Sequence, residues 1–162
     1  MEFDHRCLKK IPFKPQDLLC FGKLPFTIRI PLSKASSIEE ALNAHKEMKV
    51  YLDGSTNNSR VGAAMVLTHP RKPHCILYYF LGLDFEHTVH KAELVGILLA
   101  LHLVKMEKAG QTTFMLGVDN QAALAAFKSN LRGPAHNIAR EVILVANRLQ
   151  KRKNRKKYLL FL

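Results

Sequence analysis

Cysteine is scarce, acidic residues are few and long apolar runs are absent, and each shortage excludes a class of protein. The three cysteines, Cys7, Cys20 and Cys75, are odd in number and share no CxxC spacing, which argues against a disulfide framework and against a zinc knuckle. Reduced thiols in an intracellular compartment, cytoplasmic or nuclear, are the expectation. The longest apolar stretch, Leu94 to Leu101, is far short of the ~18 residues a membrane span needs. Glu2, Asp4, His5 and Arg6 interrupt what would be a signal peptide, so neither export nor a membrane partner is expected. Internal repeats are also lacking. Acidic residues number 13 against 25 Lys and Arg, a net charge of +12. That excess favours a polyanionic partner, nucleic acid before membrane, with an inert basic surface as the plainer alternative. What the chain does have is 48% hydrophobic content in 162 residues, enough for one domain with a proper core.

The chain divides at about residue 48. From 1 to 48 it reads as a Pro-rich connecting arm, punctuated by Pro12, Pro15, Pro25 and Pro31. Only Ser36 to Glu47 has helical character, with Ser36 or Ser37 as the N-cap and Glu39 and Glu40 in the first turn. From 49 to 162 the signals alternate between strand and helix. Lys49 to Asp53 is a first strand, ended by Gly54-Ser55 and the polar loop Thr56 to Arg60. Val61 to Thr68 and His74 to Leu83 follow as strands with turn chemistry between them, which predicts an antiparallel meander. Thr88 is placed to cap a helix running to Ala109, stopped by Gly110 and apolar on most faces, so it should be buried against the sheet. Thr112 to Asp119 is a fourth strand, parallel to the first through that helical crossover. Gln121 to Ser129 and Ala135 to Gln150 read as helices around Gly133-Pro134, and Tyr158 to Leu162 as a fifth strand. The expected fold is α/β: a mixed five-stranded sheet in the order β-β-β-α-β-α-α-β, flanked by helices.

Three acids stand out against this scaffold. Val50-Tyr51-Leu52 runs into Asp53, Phe114 to Val118 runs into Asp119, and Glu93 lies inside the apolar helix between Ala92 and Leu94. Carboxylates rarely sit in or at the edge of a core without a cation. If the first and fourth strands are parallel neighbours, Asp53 and Asp119 share the carboxyl edge of the sheet, where open α/β folds place ligands. Glu93, in the first two turns of its helix, points back to that edge. Converging carboxylates raise one another's pKa unless cations bind. Two Mg²⁺ ions about 3.5–4 Å apart would suit phosphodiester cleavage there. Singly, each acid has a plainer reading. Asp53-Gly54-Ser55 is also a turn signal, Asp119-Asn120 also a helix cap, and Lys91 also a charge partner for Glu93. A zinc site from His87, His90 and Glu93 fails because the i, i+3, i+6 spacing drifts off one helical stripe.

Taken together, Tyr51 to Ser55, His90 to Leu101 and Val118 to Ala123 resemble the first three motifs of the ribonuclease H family, in the variety carried by retrotransposon reverse transcriptases. The match covers about Lys49 to Leu162. The arm around Phe26-Thr27-Ile28-Arg29-Ile30 is similar to the segment preceding this domain in fungal retroelement polyproteins, and a reverse transcriptase domain in a parent polyprotein would be its partner. The resemblance implies a ribonuclease H-like fold and endonucleolytic cleavage of the RNA strand of an RNA–DNA hybrid, leaving a 5′-phosphate and a 3′-hydroxyl. It implies Mg²⁺ as cofactor, with Mn²⁺ able to substitute, and Asp53, Glu93 and Asp119 as catalytic metal ligands. It also implies that Gln121 touches the minor groove while Gly54 and Ser55 let backbone approach the RNA strand, whose 2′-hydroxyl distinguishes it from DNA.

The pattern also separates this chain from neighbours that share the sheet. Proofreading-type exonucleases have a second acid two residues after the first, where this chain has Ser55. Integrase-like enzymes place their Glu after both Asp residues, whereas Glu93 comes between. Two features depart from the family. Val89 and His90 replace a polar pair that some cellular relatives use on substrate. Family members continue past the fifth strand to a His-bearing loop and a last helix with a fourth metal-binding Asp, while Leu162 falls within that strand. Glu141, beside Arg140, reads as a surface ion pair and His136 as part of a helix start. The expectation is therefore a domain without its last helix, with a weakly held second metal and an exposed sheet face that lowers stability. The alternative to an enzyme is a truncated remnant that binds nucleic acid without chemistry. The basic run Lys151 to Lys157 suits phosphate contacts, a nuclear address or a solvated turn. Arg132, Arg140 and Arg148, spaced by eight, would line one helix face.

Overall fold

The computed structural model describes residues 24–43, 48–70, 72–106, 114–128, 135–153 and 159–160. Its elements are β1 (Ile28–Arg29), α1 (Lys34–Asn43), β2 (Met48–Asn57), β3 (Arg60–His69), β4 (Lys72–Leu83), α2 (Val89–Met106), β5 (Phe114–Val118), α3 (Gln121–Lys128), α4 (His136–Lys153) and β6 (Leu159–Leu160). Four strands form one mixed sheet in the order β4-β3-β2-β5. β2, β3 and β4 make the expected antiparallel meander, and β5 returns parallel to β2 with Val50 opposite Leu116 and Leu52 opposite Val118.

β2 is longer than its sequence suggests. The strand does not end at Gly54-Ser55 but pairs with β3 through Asn57 opposite Arg60. The polar run Thr56 to Arg60 resolves into strand plus a two-residue turn, in which Asn58 and Ser59 take φ of 48° and 56°. Left-handed values at both central residues are what a type I′ hairpin requires, and its twist matches that of the flanking strands. Asp53 is thus interior to the β2/β3 ladder, yet it is the first residue beyond the last parallel pair, Leu52 with Val118.

The core lies between one face of this sheet and the helices. β3 alternates cleanly: Val61, Ala63, Met65 and Leu67 are buried, while Gly62, Ala64, Val66 and Thr68 on the other face are partly exposed. A period of two of this kind marks a strand with one covered side. α2 buries every position from Ala92 to Leu101, as a helix apolar all round must. Gly96 lets it approach the sheet: a Cβ there would stand 3.3 Å from Leu52 Cδ1. α4 packs on α2 through Ala139, Val142, Ile143, Ala146 and Leu149, all buried. Each fully buried Leu, Ile or Val contributes roughly 1.5–3 kcal/mol relative to exposure, so this sandwich dominates the stability.

Local signals set the helix starts. Thr88 Oγ1 accepts from Lys91 N at 3.2 Å, the expected cap. α1 begins earlier than its sequence reading. Ser33, rather than Ser36 or Ser37, is the cap, because Ser36 N donates to Ser33 Oγ and Ser33 N donates back to Ser36 Oγ, each at 3.1 Å. This reciprocal pair is a capping box with Ser in the third helical position. The expected tail of that helix at 44–47, the Gly110 stop, Gly133-Pro134, Arg132, Cys7 and Cys20 lie outside the described residues, as does the basic run beyond the end of α4.

The fifth strand is placed differently from the sequence expectation. β6 lies against β5 but pairs in parallel with β1, Ile28 opposite Leu159, so the hydrogen-bonded sheet has four strands and a separate pair stands beside it. The reason is the anchoring of β1. Phe26 is 6% exposed and meets the Phe127 ring edge-on, centroids 5.5 Å apart, a favoured aromatic arrangement. That contact holds Ile28 where it offers β6 a backbone edge. No helix among the described residues is long and apolar enough to cross a membrane.

Candidate metal centre

Two strands and one helix deliver the three acids to one place. β5 stops at Val118 because Asn120 begins the next helix: its Oδ1 accepts from Ala122 N at 2.9 Å and from Ala123 N at 3.2 Å. The cap of α3 is therefore Asn120, and Asp119 is left out of the capping role that its position had also allowed. Asp53 and Asp119 are exposed at the ends of the parallel pair, and Glu93 is 1% exposed beneath them. One carboxylate oxygen from each lies within 4.8 Å of the others, and Asp53, Glu93 and Asp119 form the one such group of metal-ligating side chains among the described residues.

Glu93 is held by backbone rather than by a cation. Gly54 N donates to its Oε1 at 2.8 Å, in a buried bond. The approach is close enough that a Cβ on Gly54 would fall 2.9 Å from Glu93 N and 3.1 Å from its Cδ, so only glycine fits without displacement. Lys91, the charge partner the sequence allowed for Glu93, turns away: its Nζ donates to His87 Nδ1 at 2.8 Å. Glu93 Oε2 has no hydrogen-bond partner among the described residues. Burial pushes the Glu93 carboxyl up to about 7, opposed by the Gly54 hydrogen bond and reinforced by the negative charges of Asp119 and Asp53.

A buried carboxylate oxygen without a partner is costly, and two more carboxylates beside it add repulsion. A divalent cation relieves both. Hard cations take oxygen ligands of this kind, so the donor set and the orphaned Oε2 fit Mg²⁺ or Mn²⁺. Of the other sequence-singled residues, Gly54 supports Glu93 directly. Ser55 is exposed and shares the Asp53 side of β2. Gln121, also exposed, opens α3 two residues after Asp119. Glu141 pairs across two turns with Arg148, at 3.6 Å, and His136 is the first residue of α4. Sequence reasoning missed the Gly54 amide as the Glu93 donor; its signal is a glycine directly after a strand acid.

Comparison with solved structures bears on this arrangement. The chain superposes on RNase H1 from Halobacterium salinarum with TM-score 0.51 and 14% identity, covering 71% of this chain and 84% of that one. LC11-RNase H1, determined in complex with an RNA/DNA hybrid, gives TM-score 0.53 and 13% identity over 71% of this chain and 84% of its own. The fold is that of ribonuclease H. The N-terminal RNase H domain of a Mycobacterium tuberculosis protein matches at TM-score 0.50 and 14% identity, covering 70% of this chain and 84% of that one. No protein-family model matches the sequence, and no curated protein does. The ribonuclease H fold therefore rests on the backbone, and the chemistry on the acids.

Proposed function

We propose that the chain is a divalent-metal-dependent ribonuclease H that hydrolyses the RNA strand of RNA–DNA hybrids. The observation that carries this reading is the convergence of Asp53, Glu93 and Asp119 on the carboxyl edge of a ribonuclease H sheet. Divalent cations bound there would neutralise the three carboxylates, activate a water and stabilise the leaving oxygen. Asp53, Glu93 and Asp119 hold them, and Gly54 N–H fixes Glu93 through Oε1 so that Oε2 stays turned to the cations. Ser55 and Gln121, exposed beside the acids, contact the hybrid, with Gly54 allowing its backbone to come close. A net charge of +12 grips the phosphates in a salt-dependent way. A solved neighbour of the same fold was determined with an RNA/DNA hybrid, which supports this substrate. The sequence motifs around Asp53, Glu93 and Asp119 support descent from a retroelement reverse transcriptase.

The test is cleavage of an end-labelled hybrid in Mg²⁺ or Mn²⁺, with Asp53→Asn and Glu93→Gln alongside. Each substitution should lower the rate at least about 10³-fold, since metal-borne charge stabilisation is worth several kcal/mol. A parent protein that cuts no hybrid in either metal ends the enzyme reading. One observation favours a second reading: the acid group among the described residues has three members where the family motif has four. Under that reading the chain binds hybrids without cutting them, and binding is unchanged by EDTA and by Asp53→Asn.

A further inference from the structure

The sheet face opposite α2 presents aromatic rings to solvent beside the acids. Side chains of β4 alternate, so Tyr78 and Phe80 project to that face, 79% and 60% exposed. In register with them across β3 lie Ala64 and Gly62, and beyond these on β2 lie Asp53 and Ser55. The two smallest side chains leave a floor between the rings and β2, forming a concavity of about 630 Å³. Ser55, Asn57 and Arg60 supply its polar wall. Toward the other end of β4 the same row continues through Ile76 to His74 and Lys72, all exposed.

We infer that this face is a binding platform for a single-stranded nucleic acid segment, which lays its bases on Tyr78 and Phe80 and its backbone along Arg60. Three physical features select that occupant. Same-face neighbours on a strand stand about 7 Å apart, twice the ~3.4 Å rise between stacked bases of a duplex strand. An extended single strand can place one base on each ring, whereas a duplex keeps its bases stacked on one another. Aromatic rings flanked by cationic side chains are the general means of binding single strands without sequence preference. The net charge of +12 opposes docking of a second copy and favours a polyanion.

The platform adjoins the acid group. Tyr78 is two strands from Asp53 in the same row, about 10 Å at the usual strand spacing. Insofar as it rests on the nuclease reading, the inference deepens it: the substrate is a hybrid continuing into a single strand, with the unpaired part on β4 and the duplex at the acids.

The experiment is equilibrium binding of fluorescein-labelled (dT)15 to the full chain in EDTA, which is independent of metal and of cleavage. Binding should be saturable and weaken severalfold between 50 and 200 mM salt. Tyr78→Ala with Phe80→Ala should weaken it at least about tenfold, from the worth of base stacking. Tyr78→Leu with Phe80→Leu keeps apolar cover but removes the rings and should lose a comparable factor. Both pairs lie on the surface and should preserve the circular dichroism of the parent. Absence of (dT)15 binding by the parent, or undiminished binding by the Leu pair, overturns the platform. So does a parent dimer that the Ala pair splits, which would make this face a contact between copies. Asp53→Asn should retain (dT)15 binding, so loss of the nuclease reading and loss of the platform are told apart.

Discussion

The two faces of the β4-β3-β2-β5 sheet are built from alternate residues of the same strands, yet they have opposite fates. On one face Val50, Leu52, Ala63, Met65 and Leu67 are sealed beneath α2. On the other, over β3 and β4, Tyr78 and Phe80 lie open beside Gly62 and Ala64. Asp53 belongs to the open side of β2 and Gly54 to the covered side. The acid group thus sits at the boundary, where a buried Glu93 meets two exposed aspartates. The contrast teaches that apolar content alone does not decide what a strand face does. The covered face supplies the stability and the rigid seat of Glu93, while the open face and the sheet edge are free to bind.

Substitutions on the two sides should differ accordingly. The largest loss is expected on the covered face: Leu98→Ala, removing a side chain 2% exposed, should cost about 2–5 kcal/mol in urea denaturation. Next comes pH. Glu93 keeps its proton to about 7 in the folded chain against 4.5 unfolded, so between these values the folded state binds more protons. Stability without metal should therefore fall as pH rises from about 4.5 through about 7, by at most about 3 kcal/mol. Glu93→Gln should flatten the profile over that window, and saturating Mg²⁺ should reverse its sign; an unchanged profile in Glu93→Gln assigns the effect elsewhere. Gly54→Ala should cost about 1–3 kcal/mol by crowding Glu93 and breaking its hydrogen bond, and should weaken Mn²⁺ binding in calorimetry. Asn120→Ala removes the α3 cap and should cost about 1 kcal/mol. The smallest effect belongs to the open face: Tyr78→Ala should change stability by no more than about 0.5 kcal/mol. A larger loss would mean that the ring is covered in solution.

Much of this was legible in the sequence, for reasons that are local. Periodicity separates the meander from the helices, Thr88 announces α2, and an acid inside an apolar helix has few readings beyond a cation. The parallel placement of β2 and β5 follows from the intervening crossover, and it brings Asp53 and Asp119 together. What was not legible depended on tertiary context. Asn58-Ser59 looked like part of a loop because left-handed φ values are not written in residue type, so β2 seemed to stop before Asn57. Whether Asp119 or Asn120 caps α3 is settled only by which side chain reaches the Ala122 amide. Ser33 and Ser36 cap each other, which no single serine reveals. Phe26 lies in a segment punctuated by prolines, and its packing on Phe127 draws β1 to β6 and takes the fifth strand out of the hydrogen-bonded sheet. The Ile76 to Leu81 run is apolar throughout, so its open face cannot be told from its covered one by composition.

The measurement that bears most directly on the account is the titration of the Glu93 carboxyl by ¹³C NMR, in EDTA and in Mg²⁺. A carboxylate buried beside Asp53 and Asp119 and awaiting a cation should titrate near 7 without metal and fall by more than about one unit when Mg²⁺ is bound. An ordinary midpoint near 4.5, unmoved by Mg²⁺, would contradict it.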